Sequence, residues 1–196
     1  MSFQPAANGN RNIGRWRVVV PRKGGAGVAA EDEFLKHINE YFARFEETPP
    51  PPDELEERRT RELHEKEVKV EGVYEHPRGA FVLLRDSQGR RMPIWIGPAE
   101  ALSITLALEG HGAPRPLTHD LLKRVLDELG ATIEGALVDD LYSNTYYAKL
   151  SVRRNGQSVD IDCRPSDAIA MALRVKCPIY VAEHVLQEAQ IEWHDE

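Results

Sequence analysis

Charged and polar side chains crowd the short stretch of this 196-residue chain that runs from Asp160 through Asp162, Arg164 and Ser166 to Asp167. In an extended strand Val159, Ile161 and Cys163 face one side and Asp160 and Asp162 the other, with side-chain origins about 7 Å apart. Two carboxylates so placed can hold one divalent cation jointly or flank two. Arg164 and Ser166 precede an Ala-rich helical run, and with the free N–H groups of a helix start they can bind phosphate. Each residue also has a plainer use. Asp160 and Asp162 can be solvated acids on an exposed strand face. Asp167 can complement the helix dipole. Arg164 can pair with Asp162 or Asp167 and hold the corner rigid.

A second polar group lies in Arg115-Pro116-Leu117-Thr118-His119-Asp120. His119 is the best histidine for a general base or a metal ligand, because an unperturbed imidazole titrates near pH ~6.5. Asp120 and Glu100 each fall in the first turn of an expected helix, where they can ligate a metal or only match the dipole. Asp139-Asp140 reads as turn chemistry near a strand end. Gly-rich phosphate loops of standard spacing, HExxH, GxSxG and zinc-spaced Cys/His sets are all absent from the sequence.

The elements that must position these residues read as α+β: a mixed, largely antiparallel sheet with two or three helices. Strands are expected at 68–74, 80–85, 91–96, 132–138, 145–153, 158–163 and 178–182, with Asn155-Gly156 the strongest hairpin signal. Gly97-Pro98 opens a helix whose buried face carries Ile104 and Leu108. Thr118 is the expected N-cap of the next, with Leu121, Leu122, Val125, Leu126 and Leu129 on one face and Gly130 as its stop. A third spans 166–175, and a helical turn closes the chain.

Upstream, residues 1–30 read as a mobile basic tail, and 31–67 as an amphipathic helix, a Pro49–Pro52 spacer and a charged connector. The helix bears a stripe of Phe34, Leu35, Ile38, Tyr41, Phe42 and Phe45, which calls for the main domain or another subunit as cover. The main domain is 68–196. A formal charge of −7 argues against a generic nucleic-acid coat, so any such contact needs a local basic patch or bound cations. Cys163 and Cys177 form no CxxC pair, and no apolar run has the length of a membrane span. The expectation is a cytoplasmic protein that does not enter membranes. An edge strand and the uncovered stripe favour a homodimer.

Met92-Pro93-Ile94-Trp95-Ile96-Gly97 with Glu100, then Arg115 to Leu121, then Arg164-Pro165-Ser166-Asp167-Ala168-Ile169-Ala170 resemble, in order, the signature blocks of the bifunctional nuclease domain family. The resemblance covers roughly Val68 to Trp193 and implies an α+β fold with nuclease activity on DNA and RNA. On that reading Glu100, Asp162 and Asp167 hold Mg²⁺ or Mn²⁺. His119, with Asp120, activates water or protonates the leaving oxygen, and Arg115, Arg164 and Ser166 hold the phosphate. The alternative is a non-catalytic module whose polar corner recognises a small anion or a partner protein.

Overall fold

The computed structural model describes Lys36 and residues 64–191, so the expectations for the tail, the 31–47 helix and the proline spacer lie outside the described residues. Seven strands form one sheet: β1 (Glu65–His76), β2 (Gly79–Asp86), β3 (Arg91–Ile96), β4 (Ala131–Tyr142), β5 (Thr145–Arg154), β6 (Gln157–Cys163) and β7 (Ile179–Ala182). Their order across the sheet is β3-β2-β1-β7-β4-β5-β6. Every pairing is antiparallel except β4 with β7. Four helices accompany them: α1 (Pro98–Glu109), α2 (Thr118–Glu128), α3 (Pro165–Val175) and α4 (Glu183–Ala189). The fold is α+β, as the sequence suggests.

Turn chemistry sets the hairpins. Asn155 and Gly156 both adopt positive φ, 52° and 79°, the backbone a two-residue β5–β6 turn requires. Ser143 and Asn144 (φ 44° and 62°) turn β4 into β5 in the same way, without a glycine to announce it. Between β2 and β3, Asp86 accepts from the backbone N–H of Gln88 and Arg90, each at 2.9 Å, and closes the Ser87-Gln88-Gly89 turn. Tyr146 on β5 donates to the Pro93 carbonyl on β3 at 3.2 Å, although four strands separate them in the sheet. The sheet is therefore strongly curled.

Inside the curl, Phe81 to Leu84 are buried at every position, so β2 is covered on both faces. Phe81 stacks on Tyr74 and meets Trp95 edge-on, with centroids 5.4 and 5.6 Å apart. α3 is the central helix. Ala168 to Ala172 are wholly buried, and three small alanines let α1, α2 and the β4–β5 surface approach its backbone. Pro165 occupies its first turn and Lys176 (φ 59°) ends it.

Several expectations are corrected. Leu108 is 39% exposed, and Ala101, Ser103 and Ile104 form the buried face of α1. Leu117, not Thr118, is the N-cap of α2, and Asp120 supplies the cap by accepting the Leu117 N–H at 2.8 Å. Most of the apolar face of α2 points to solvent: Leu121, Leu122, Val125 and Leu129 are exposed, while Leu126 packs against the core as expected and His119 is buried. Asp139 and Asp140 are not turn residues; they lie inside β4 beside a register shift and are buried. Lys149 pairs with Asp139 at 2.9 Å, which is how that carboxylate tolerates the interior.

Arg90 ties α4 to the β2–β3 turn through two bonds to Glu183 at 2.8 and 3.0 Å and one to Asp86 at 2.7 Å. The Arg90 hydrogen bond holds the Glu183 carboxyl down to about 2. A depressed folded value means stabilisation present above the unfolded value of ~4.3 and lost as pH falls through the folded one. Acid titration of the unfolding free energy of Glu183→Gln beside wild type is expected to show wild type more stable at pH 7, with the gap closing between about pH 4 and pH 2. A gap that does not change with pH would contradict this clamp.

Candidate active site

α1, α2 and α3 meet along one continuous line of polar side chains. At one end Asp120 accepts from Arg174 Nε at 2.7 Å. Arg174 Nη2 donates to Ser103 Oγ at 2.8 Å, and Ser103 Oγ lies 2.8 Å from His119 Nδ1. His119 Nε2 lies 3.1 Å from Asp167 Oδ1. Asp167 then accepts two bonds from Arg164, Nε at 2.7 Å and Nη2 at 2.9 Å, and Arg164 Nη2 reaches Glu100 at 2.8 Å. The middle of the line is deep, with Ser103 and His119 buried, and Asp120 behind it is partly exposed. The outer end is open: the Arg164 side chain is 65% exposed.

Local structure puts each group in place. Arg164 is the N-cap of α3 and Asp167 sits in its first turn, so the carboxylate faces the positive end of the helix dipole. Arg174 lies two turns further along α3 on the same face, and also donates to the Ala170 and Ser103 carbonyls. Glu100 and Ser103, one turn apart on α1, share a face in the same way.

The pairing fixes proton positions on His119. The ionised Asp167 carboxylate can only accept, so the neutral ring carries its proton on Nε2 toward it, and Nδ1 accepts from the Ser103 hydroxyl, whose oxygen accepts from Arg174. Protonating the ring reverses only the Ser103 bond. In both states Nε2–H points at Asp167, so His119 reaches outward through that carboxylate. Burial pushes the Asp167 carboxyl up, but hydrogen bonds from Arg164 and His119 outweigh it and hold it below the usual range. The Arg174 bond, with the Leu117 N–H, does the same for Asp120. Asp167 and Glu100 in turn hold the proton on Arg164 more firmly than usual.

A cleft of about 420 Å³ opens over this line. Glu100, Ser103, His119, Arg164 and Asp167 line it, with Ala99, Leu102, Pro116, Leu117 and Thr118 as the less polar wall. The expected residues divide accordingly. Glu100, His119, Arg164 and Asp167 come together; Asp120 stands behind them, bound to Arg174; Arg115 is exposed in the loop next to Pro116. Ser166 is buried on α3 and is not part of the cleft lining. Asp160 and Asp162 lie on the exposed edge strand β6, Asp160 accepting from Ser151 at 2.6 Å and Asp162 opposite Lys149 in register. Val159 and Ile161 are exposed as well, 59% and 45%, so β6 has no buried face to sort its acids from its apolar residues.

Sequence reasoning missed Ser103 and gave Arg174 no role. Their signal was helical spacing: Ser103 three residues after Glu100, and Arg174 seven after Asp167.

A Mg²⁺ or Mn²⁺ ion on Glu100, Asp162 and Asp167 does not fit this arrangement. The Arg164 guanidinium already bridges Glu100 and Asp167, and among the described residues no group of three or more His, Cys, Asp or Glu side chains is arranged to hold a metal.

The sequence profile of the bifunctional nuclease domain matches residues 82–194. The chain belongs to the bifunctional nuclease domain family. That match takes in every residue of the polar line, from Glu100 to Arg174. Among bifunctional nuclease relatives, Bifunctional nuclease 1 of Arabidopsis thaliana is 29% identical over 113 residues, 56% of this chain and 35% of the plant protein. Bifunctional nuclease 1 of Oryza sativa subsp. indica is 26% identical over 113 residues, 56% of this chain and 34% of the rice protein. The Mycobacterium tuberculosis (strain H37Rv) "Uncharacterized protein Rv1829" is nearer, 44% identical over 133 residues, 66% of this chain and 79% of that protein. This bifunctional nuclease domain thus spans about a third of the plant proteins' length. Among its described residues no helix is long and apolar enough to cross a membrane.

Proposed function

We propose that the protein hydrolyses phosphodiester bonds in DNA or RNA with little sequence preference, and that the reaction takes place in the Arg164–Asp167 cleft. The observation that carries this is an exposed arginine held over a partly buried carboxylate that is itself hydrogen-bonded from behind by a histidine. Family membership supplies the reaction class.

A phosphate entering the cleft takes the N–H groups that Arg164 now gives to Asp167 and Glu100, and exposed Arg115 adds a second cation beside it. Release from Arg164 turns an Asp167 oxygen toward the cleft, where it orients the attacking water and accepts its proton. The water oxygen bonds to phosphorus as the bond to the leaving oxygen breaks, and the leaving oxygen takes its proton from solvent at the open end of the cleft while Asp167 later returns its own to solvent. His119 acts through Asp167 and is a positioning residue. Arg174 and Asp120 hold Ser103, and so the imidazole, in register. Contacts confined to phosphate carry no sequence information, which accounts for the low preference. Mg²⁺ and Mn²⁺ carry no step here and enter only as arms of the assay.

With a net charge of −7 the chain repels a polyanion overall, so binding depends on these local cations. Arg164→Gln is expected to raise KM for a labelled oligonucleotide about tenfold, the loss of one charged hydrogen bond of roughly 1.5 kcal/mol. An unchanged KM would remove Arg164 from the substrate. The same exposed guanidinium also suits a non-catalytic receptor for a small anion, and that reading predicts a raised Tm with inorganic phosphate but no turnover.

A further inference from the structure

α2 is a helix turned inside out. Its inward side carries His119 and Leu126, while Leu121, Leu122, Val125 and Leu129 stand 59%, 42%, 44% and 52% exposed along one stripe. Helical spacing puts these four within one face about two turns long. Leu102 of α1, 50% exposed, continues the apolar surface across the cleft wall it shares with Thr118. Isolated exposed leucines need no explanation, but a contiguous stripe of this kind marks an interface.

The charges along the stripe say what covers it. Arg124 and Glu128, one turn apart, flank the same edge; both are exposed, and neither has an ion-pair or hydrogen-bond partner among the described residues. If two copies of α2 packed in parallel, the edge that carries Arg124 and Glu128 would lie against the opposite edge of the second copy, that of Leu122 and Leu126, and neither charge would meet its complement. Packed antiparallel about a two-fold axis near Val125, each Arg124 faces the Glu128 of the second copy, twice by symmetry. We infer that this face binds a second copy of the chain, α2 against α2 antiparallel, with the two-fold passing near Val125. The inference is independent of the nuclease reading. It also has a consequence for the cleft: with Leu102 and Thr118 at its rim, the second chain becomes one of its walls.

Light scattering and sedimentation of the full chain over a concentration series test it. Wild type is expected at the mass of two chains. Val125→Asp is expected to raise the dimer dissociation constant at least ~100-fold, because an aspartate buried at an apolar two-fold meets its own copy. Its Tm at low concentration, where both proteins are monomers, stays that of wild type. Arg124→Glu should raise the constant about tenfold, and Arg124→Glu/Glu128→Arg should restore it. A dimer indifferent to Val125→Asp overturns the inference. So does a double reversal weaker than the single one. A monomer at every concentration also overturns it, and if Val125→Asp lowers the Tm of that monomer, the apolar 34–45 stripe of the same chain is the occupant.

Discussion

Asp167→Asn is expected to lower phosphodiester cleavage by about 10²- to 10⁴-fold while leaving the chain folded. The carboxylate accepts three hydrogen bonds, one from His119 and two from Arg164. An amide of the same shape presents one acceptor oxygen and one donor nitrogen. It therefore sets an N–H against either the imidazole or the guanidinium, and it cannot take a proton from water. Single-turnover rates measured with a folded control separate this from a binding defect, since the loss should fall on the chemical step and not on KM. The depressed carboxyl adds a pH signature. Arg164 and His119 outweigh burial and hold the Asp167 carboxyl below the usual carboxylate range, so its titration in the free protein gives no fall in kcat/KM between pH 5 and pH 8. An unchanged rate for Asp167→Asn would move the chemistry out of the cleft.

The largest effect on stability is expected at Arg174. Its side chain is only 8% exposed, and it bonds Asp120, the Ser103 hydroxyl and the Ser103 and Ala170 carbonyls. Arg174→Met keeps much of the volume but takes one donor from each of these acceptors at the junction of three helices, leaving Asp120 the Leu117 N–H alone. The Asp120 carboxylate left behind is 36% exposed and keeps that N–H, so the cost is that of the lost charged hydrogen bonds, about 1.5–3 kcal/mol, which lowers Tm by roughly 5–10 °C in a domain of this size. Ser103→Ala removes a single bridge and should cost about 1–2 kcal/mol. Chemical denaturation of the two variants gives the comparison. Equal and small losses would mean that the polar line does not hold the helices together.

The strands were legible because their turns carry chemistry: Asn155-Gly156 and Ser87-Gln88-Gly89 end strands that alternate or run apolar. β1 starts at Glu65, inside the stretch read as a charged connector, because its first residues pair with β7, a partner far along the chain. Asp139-Asp140 was misplaced for a related reason. Two adjacent acids look like a loop until Lys149 from the neighbouring strand neutralises one of them inside the sheet. For the site, the strand-to-helix corner pointed to Arg164 and Asp167, and the Arg115–Asp120 block pointed to His119. What the sequence could not show is which groups stand behind others. Ser103 and Arg174 acquire meaning only when three helices converge, and the acids of β6 fall away from that convergence because β6 is an edge strand with nothing packed over it. The direction of α2 was equally hidden, since an apolar stripe predicts a covered face without saying what covers it.

The central claim is that the Arg164–Asp167 cleft cleaves nucleic acid. Labelled single-stranded DNA, duplex DNA and RNA should be incubated with highly purified wild type and with Asp167→Asn, each in Mg²⁺, Mn²⁺ and EDTA. The account predicts cleavage of at least one substrate by wild type and its loss in the variant under the same condition. Equal cleavage by the two proteins, or none by wild type in any arm, would contradict it.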